Sequence, residues 1–349
     1  MRRGHRFFLL CLLAWLLAGC QLGYYRQAIA GHWSLMSQRE PVDSVLADPD
    51  TPPAVARQLQ FSQQVVNWAG NHLDLPAEDV YHQYVSLEQE AVVWNVLAAP
   101  AWSLTPKTWC YPLVGCVSYR GYFDRKRADR EAAALQDEGF DTWVGGAIAY
   151  STLGWFADPL TTPMVQRSRP SLAELLIHEL VHRRIYIKGD TRFNESLATM
   201  VGREGSVQYF AFIEAPLPDD YWPQRDRAKA AFLAIIGDAR EALDELYTRE
   251  RDEQKLAAGK ARIQQQARQR FAADRERIEG LKGYQRFFDG PLNNAQLNGV
   301  SDYNAYVPAF ARLFSQCQQQ WDCFWQQVDN LADLNPTQRK QALEGLAWN

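Results

Sequence analysis

The stretch His178-Glu179-Leu180-Val181-His182 is the most informative part of this 349-residue sequence, and Glu195 follows thirteen residues after the second histidine. Side chains four positions apart lie on the same face of a helix, so the two imidazoles can bind one metal ion. Imidazole and carboxylate are ligands that zinc accepts, and a catalytic zinc site has three protein ligands and an open position for water. We therefore predict one Zn²⁺ per chain, bound by His178, His182 and Glu195. Glu179 is the predicted base that takes a proton from the water.

The residues around the motif predict a mostly buried helix, because apolar side chains recur at helical spacing. They are Leu172, Leu175, Leu176, Ile177, Leu180, Val181 and Ile185. Ser171 is the predicted N-cap of this helix, and Glu174 would complete a capping box. The helix is predicted to end at Gly189 and Asp190, and a second helix to begin near Phe193.

Two alternatives to the metal site stay open at the level of sequence. The histidines and Glu179 could pack in an amphipathic helix, although an ionised glutamate between apolar neighbours is costly without a partner. Glu195 could be a first-turn glutamate that the helix dipole favours. Glu204, on the same predicted helix, is a weaker candidate ligand.

The motif with Asn194-Glu195 on a second helix resembles the gluzincins, the metallopeptidases that include thermolysin and the zinc aminopeptidases. The resemblance implies a zincin-like core, the same three zinc ligands, and Glu179 as the residue that activates water. The interval before Glu195 is shorter than in thermolysin. Thr199 stands where thermolysin has an aspartate that braces a histidine, which leaves Asp190 as the candidate for that role.

Four further segments, at residues 109–112, 119–123, 149–156 and 190–196, resemble a family of bacterial lipoproteins known as putative aminopeptidases. In gluzincins, the edge strand of the sheet upstream of the zinc helix pairs with the substrate backbone. By this resemblance Gly146, Tyr150 and Ser151 are candidates for the substrate strand. The rival interpretation is a buried core strand whose glycines permit close packing. This segment has no acid like the one that binds the free amine in aminopeptidase gluzincins, so exopeptidase and endopeptidase action both stay open.

Residues 1–19 are predicted to be a signal peptide. Three arginines precede an apolar run over residues 7–17, which is too short to cross a bilayer as a helix of about twenty residues. The run ends in Leu17-Ala18-Gly19-Cys20, which resembles the lipobox of bacterial lipoproteins and implies acyl chains on Cys20. By the sorting rule of such proteins, Gln21 implies the periplasmic face of the outer membrane. An ordinary secretory signal is the alternative.

Four cysteines follow the predicted anchor: Cys110, Cys116, Cys317 and Cys323. Four cysteines allow three pairings, and the local one, Cys110 with Cys116 and Cys317 with Cys323, is the simplest. Disulfides suit an oxidising compartment such as the periplasm. The spacing within each pair is longer than in zinc knuckles, which argues against a zinc site built from these cysteines.

The charge of the chain argues against nucleic acid as a partner. It carries 37 Lys and Arg against 41 Asp and Glu, for a net charge of −4. Nucleic-acid-binding domains instead carry a clustered positive charge. The predicted partners are therefore a peptide substrate and, through Cys20, a membrane of the bacterial cell envelope.

The predicted fold class is α+β and mainly helical, with a zincin-like core, a small mixed sheet and an extra helical hairpin. Residues 20–349 form the mature body, as one domain or two lobes. The predicted elements are a helix over 54–72, strands within 92–123, a helix over 124–138, a strand over 142–152 and a helical hairpin over about 222–280. The hairpin is interpreted either as ordinary surface helices or as an arm that docks a protein partner.

Together these patterns predict a membrane-anchored zinc peptidase that hydrolyses peptide bonds with an activated water. A donor to the oxyanion would also be needed, and the candidates are Tyr150, Tyr186, Tyr303 and Tyr306. One alternative is a non-catalytic envelope binding protein or scaffold with a metalloprotease fold. Another is a zinc hydrolase of a different amide, such as a cell-wall peptide crosslink.

Overall fold

The computed structural model describes residues 23–78, 80–111, 115–148, 158–300 and 304–348. Most of these residues lie in helices. In chain order the helices are α1 (23–37), α2 (Val42–Ala47), α3 (Pro53–Leu73), α4 (Arg125–Asp137), α5 (Thr162–Val165), α6 (Arg169–Arg184), α7 (Thr191–Phe212), α8 (Tyr221–Arg249), α9 (Glu253–Asp274), α10 (Gln285–Phe288), α11 (Asn294–Asn298), α12 (Val307–Gln316), α13 (Trp321–Ala332) and α14 (Pro336–Trp348). The predicted mainly helical α+β class is therefore confirmed.

The strands form three small sheets. They are β1 (Glu40–Pro41), β2 (Gln83–Val85), β3 (Val93–Pro100), β4 (Trp109–Tyr111), β5 (Gly115–Val117), β6 (Arg120–Tyr122), β7 (Phe140–Ala147) and β8 (Leu160–Thr161). The first sheet has the order β1-β2-β8, the second β6-β3-β7, and β4 pairs with β5 alone. The first sheet is mixed, because β2 runs antiparallel to β1 and parallel to β8. In the second sheet all pairs are antiparallel, with Trp94 opposite Gly146.

The largest hydrophobic core surrounds α6. It joins α3, α6 and α7 to α12, α13 and α14 at the end of the chain. Five of the seven apolar side chains predicted to be buried are so, and they are Leu172, Leu176, Ile177, Leu180 and Val181. The other two, Leu175 and Ile185, are partly buried. A second core lies under α4 and the β6-β3-β7 sheet, and a third lies between α8, α9 and residues 281–297.

Both ends of α6 differ from the prediction. The helix begins at Arg169 with Ser168 as N-cap, because Pro170 in the first turn has the backbone angle that a helix start needs. Ser171 is therefore a buried residue inside the helix, and the predicted capping box with Glu174 is wrong. The helix ends at Arg184, where Ile185 takes an extended conformation, well before Gly189.

The predicted helical hairpin consists of α8 and α9, and it is held against the sheet rather than projecting from it. Near the turn of the hairpin, buried Lys260 donates from Nζ to the Asp141 carboxylate on β7 and to the Ala101 carbonyl. Tyr247 donates to Asn294, whose main-chain N–H in turn donates to Asp141. The hairpin is therefore attached to β7 along one side, and its interpretation as an arm that docks a protein partner stays a prediction.

Two local disulfides are present. Cys110 and Cys116 face each other across the β4–β5 pair, and Cys317 at the end of α12 is joined to Cys323 on α13. Within the described ranges, no helix combines the length and the apolar character that a membrane span requires.

Candidate metal centre

His178 and His182 project from the same face of α6, as their spacing predicts. Their rings lie 4.8 Å apart and nearly perpendicular, and the two Nε2 atoms are 3.1 Å from each other. Both residues sit in the second half of the helix, where the buried leucines on the opposite side fix its rotation. The two imidazoles are thus oriented toward a common point.

Glu195 reaches the same point from α7. Its Oε2 lies 3.3 Å from His178 Nε2, and its Oε1 lies 3.5 Å from His182 Nε2. The helices approach closely because Gly202 has no side chain. A Cβ at Gly202 would lie 2.7 Å from the Glu174 carbonyl oxygen of α6. The sequence prediction that these three residues converge agrees with this geometry.

The loop between the two helices is fixed by the residue next to Glu195. Buried Asn194 accepts a hydrogen bond from the Ile187 N–H at 2.9 Å and donates to the Ile187 carbonyl at 2.8 Å. Asp190 caps α7 by accepting from the Phe193 N–H at 3.1 Å, so the helix begins at Thr191. Glu195 is therefore placed by hydrogen bonds between the side chains of its neighbours and the main chain, which close the loop.

The three side chains fit a zinc ion by chemistry and by distance. Their ligand atoms all lie within 4.8 Å of one another. Tetrahedral zinc with bonds of about 2.1 Å separates its ligand atoms by about 3.4 Å. The two Nε2 atoms are 3.1 Å apart, and each lies 3.3 or 3.5 Å from one of the two Glu195 oxygens. Two imidazoles and one carboxylate are also a ligand set found in catalytic zinc sites.

The pKa values of the three clustered side chains are shifted in different directions. Burial and the neighbouring His178 lower the pKa of His182 to about 4. Burial also acts to lower the pKa of His178, but the hydrogen bond with Glu195 and the charges of Glu179 and Glu174 outweigh it and raise that pKa. Burial opposes ionisation of Glu195, yet its hydrogen bond with His178 keeps its pKa below the ordinary value. Glu195 is therefore a carboxylate at neutral pH.

Glu179 lies on α6 beside the cluster and is largely buried. Burial raises its pKa, the charge of His178 lowers it, and the charges of Glu195 and Asp158 raise it further, with a net increase. A carboxylate with a raised pKa is a stronger proton acceptor than an ordinary glutamate. Glu179 thus has the electrostatic character expected of a general base.

Comparison with known proteins assigns the chain to a family. The family model described as "Putative aminopeptidase" matches residues 23–343. The chain belongs to the putative aminopeptidase family. No curated protein and no solved structure matches the chain at a significant level. The match covers all of α6 and α7, so the candidate metal centre lies inside the family's domain.

Asp190 does not brace a histidine, which is the role that the sequence predicts for it. One carboxylate oxygen caps α7, and the other accepts from Nε of buried Arg339 on α14 at 2.8 Å. Both oxygens are therefore used in holding α7 and α14 together rather than in bracing a histidine. Nδ1 of His182 is buried and has no hydrogen-bond partner within the described part of the chain.

Other predicted site residues lie at varying distances from the cluster. Glu204 is not among the clustered ligands and instead accepts a hydrogen bond from Gln208 on the same helix. The Tyr186 ring lies 6.2 Å from the His182 ring and is half exposed. Tyr306 is buried beside α7, and its main-chain N–H donates to Ser196. Tyr150, Ser151, Tyr303 and Cys20 lie outside the described residues.

Gly146 lies on an edge strand. Of the strands in its sheet, β7 pairs only with β3, and Gly146 itself is exposed. It also packs closely, since a Cβ there would lie 2.7 Å from the Ala91 Cβ. At Gly146 the strand is therefore not buried core, so the rival interpretation is wrong there. The close packing of the glycine, which that interpretation also predicted, is present.

Tyr81 and Arg183 lie near Glu179 but belong to no sequence motif, so they were not identified from the sequence. Tyr81 is buried, has a left-handed φ of 62°, and is held by a hydrogen bond from its N–H to the Asp158 carbonyl. Burial raises its pKa, and so do the nearby charges of Glu179 and Asp158. Arg183 follows Glu179 by one helical turn, and its Nε and Nη1 are buried without a hydrogen-bond partner among the residues that the structure describes. Both positions depend on tertiary packing, so a single sequence offers no signal for them.

Proposed function

We propose that this protein is a zinc-dependent peptidase of the gluzincin type, anchored to a membrane through lipidated Cys20. Membership in the putative aminopeptidase family supports peptidase activity at a coarse level. The observation that carries the zinc site is the convergence of His178, His182 and Glu195, with ligand atoms within 4.8 Å of one another. A zincin-like core is part of this proposal, with α6 and α7 as its two ligand-bearing helices.

The proposed reaction is hydrolysis of a peptide bond by an activated water. Bound zinc would supply Lewis acidity that polarises the scissile carbonyl and lowers the pKa of a water to about 7. Glu179 accepts the proton of that water and later donates it to the nitrogen of the leaving amine. Tyr186, the described candidate whose ring lies beside His182, donates a hydrogen bond to the developing oxyanion.

We propose that the substrate backbone binds along the edge of β7 that no described strand pairs with. A peptide can add as a strand to an exposed sheet edge through main-chain hydrogen bonds. The exposed Gly146 leaves this end of the strand accessible to a peptide backbone, whereas the other end is covered where Asn293 donates to the Thr142 carbonyl. Tyr150 and Ser151 would extend the same surface.

The proposed location is the periplasmic side of the bacterial outer membrane. The lipobox-like Leu17-Ala18-Gly19-Cys20 and Gln21 support it at the level of sequence. The two disulfides agree with an oxidising compartment, because disulfides are rare in the reducing cytosol.

A peptide screen with matched variants tests this proposal. The wild type, Glu179→Gln and Glu204→Gln are assayed on peptides with free N-termini, on the same peptides acetylated at the N-terminus, and on cell-wall crosslink peptides. We expect hydrolysis by the wild type and by Glu204→Gln, and a loss of at least about 100-fold in Glu179→Gln. Loss of cleavage on acetylation would identify an exopeptidase.

Two outcomes would contradict the proposal. Undiminished hydrolysis by Glu179→Gln would remove the proposed base. A wild type that binds zinc but cleaves none of the peptides would favour the non-catalytic binding protein. Cleavage of the crosslink peptides alone would restrict the substrate to the cell wall and leave the mechanism intact.

A further inference from the structure

Helix α1 exposes an apolar stripe that the described chain covers only at one end, where the Tyr25 ring lies 6.1 Å from the Tyr111 ring. Tyr25, Ile29 and Trp33 follow one another at intervals of four residues, so they lie on one face of the helix. Their exposed fractions are 36%, 59% and 70%, and Trp33 is the most exposed large hydrophobic residue in the described ranges. Arg26 and Ser34, which are also exposed, flank this stripe with polar side chains.

The opposite face fixes α1 to the body, so the stripe has a fixed direction. Gln27 donates from Nε2 to the Gly121 carbonyl at 3.1 Å. Gly31 packs directly on the Phe123 ring, where any side chain would clash. Leu35, near the end of the helix, is buried in a small core with residues of β2 and β3. Because this face is already used, α1 cannot rotate to bury the stripe in the protein.

The position of α1 in the chain indicates what covers the stripe. The helix is described from residue 23, three residues after Cys20 and six residues after the end of the apolar run over 7–17. Three residues span at most about 10 Å, so acyl chains on Cys20 would hold the start of α1 at the bilayer surface. Trp and Tyr are the residues enriched at membrane interfaces, and an interfacial helix has an apolar face beside basic and polar side chains.

We propose that α1 lies in the membrane interface and inserts Tyr25, Ile29 and Trp33 among the lipids. This contact gives the anchored body one orientation instead of leaving it free on a flexible tether. The inference rests on the anchoring through Cys20 that belongs to the proposed function, but it is independent of the metal site. The occupant of the stripe is thus a lipid surface, not a second copy of the chain.

Site-directed spin labels on the full lipidated chain test this inference. Ile29→Cys places a label on the stripe, and Ser34→Cys places a matched label on the same helix away from it. Each protein is reconstituted into vesicles of phosphatidylethanolamine and phosphatidylglycerol. The accessibility of the label to oxygen, which concentrates in lipid, is compared with its accessibility to a water-soluble nickel chelate. Both positions are exposed, so the substitutions leave the fold intact.

We expect the label at Ile29→Cys to be accessible to oxygen and shielded from nickel, and the label at Ser34→Cys to show the reverse. If both labels are accessible to nickel while the protein stays with the vesicles, anchoring stands and the interfacial helix is wrong. A label at position 29 that is shielded from both reagents would mean that a protein surface covers the stripe, which also overturns the inference. Protein that does not sediment with the vesicles would overturn the anchoring and the inference with it.

Discussion

At the scale of single residues, a substitution of Tyr186 best distinguishes a catalytic metal centre from a site that only binds the metal. Its ring lies 6.2 Å from that of His182, and it is 47% exposed although it borders a partly buried cluster. An exposed aromatic residue contributes little to folding. In the proposed function, its hydroxyl donates a hydrogen bond to a substrate bound at the metal.

We expect Tyr186→Phe to lower kcat by about 100-fold with little change in zinc content, because one donor to an oxyanion contributes about that much. Steady-state kinetics and metal analysis of the same preparation provide the measurement. Tyr119→Phe is the control, since Tyr119 is 46% exposed and lies on the sheet side of the molecule beside β6. Equal kcat values in the two variants would exclude Tyr186 as the donor.

The sequence predicts the cluster itself well and its surroundings poorly. The spacing of His178 and His182 is a local property of one helix, so it can be read without tertiary information. The role expected of Asp190 is wrong because Arg339, from α14, pairs with its carboxylate. A partner almost 150 positions away along the chain leaves no local pattern. Tyr81 and Arg183 escaped prediction for the same reason.

At the scale of elements, the crossing of α6 and α7 determines whether the ligands meet. Gly202 lies where α7 touches α6, and a Cβ there would also lie 3.4 Å from the His178 Cβ. A methyl group at this position must push the helices apart. The separation of Glu195 from the two histidines would then increase.

We expect Gly202→Ala to lower the free energy of unfolding by about 1–3 kcal/mol and to weaken zinc binding. Denaturant titration and competition with a chelator measure the two effects. Gly237→Ala is the matched control, because a Cβ at Gly237 on α8 would meet open space. That variant should gain up to about 1 kcal/mol, since alanine favours the helix over glycine. A Gly202→Ala protein as stable as the control would contradict the close crossing.

Helix boundaries were also predictable where local sequence sets them, and not where contacts with distant segments do. The helix predicted over 54–72 is α3, Pro53–Leu73, because its apolar stripe and its flanking prolines are local signals. The end of α6 at Arg184 was not predicted. There Arg184 donates to the Asp74 carbonyl and carboxylate and lies over the Trp325 ring, contacts with two distant segments. Their formation, together with the Asn194 contacts to Ile187, turns the chain out of the helix.

At the scale of the whole molecule, a buried ion pair joins the helical hairpin to the sheet. Lys260 on α9 and Asp141 on β7 are both largely buried, and the Lys260 ammonium also lies 5.2 Å from the centre of the Trp102 ring. Removing the lysine would leave the aspartate charge buried with only the Asn294 N–H as a described partner. The hairpin and the β6-β3-β7 sheet should therefore depend on this pair for their association.

We expect Lys260→Met to lower the free energy of unfolding by about 3 kcal/mol, because breaking a buried pair leaves an uncompensated charge. The exposed pair of Arg286 with Glu90 also joins distant parts of the chain, and Arg286→Met should cost less than about 1 kcal/mol. Chemical denaturation of both variants gives the comparison. A loss of stability in Lys260→Met no larger than in Arg286→Met would contradict the proposed link.

The fold as a whole was predictable in class but not in arrangement. A stretch after position 221 that is poor in glycine and rich in Ala, Arg, Glu and Gln predicts a helical hairpin, and α8 and α9 form it. Its contact with β7 depends on Lys260, which in the sequence looks like any solvent-exposed lysine of a polar helix. The local disulfides were the simplest of three pairings, and the strand pairing of β4 with β5 places Cys110 opposite Cys116.

The zinc content of the purified protein tests the central claim most directly. Mass spectrometry of the metal would compare the wild type, Glu195→Ala and Glu204→Ala, since Glu204 lies on the same helix but outside the cluster. We predict about one zinc per chain in the wild type and in Glu204→Ala, and a large loss in Glu195→Ala. Little zinc in the wild type, or zinc retained undiminished in Glu195→Ala, would contradict a metal centre built by His178, His182 and Glu195.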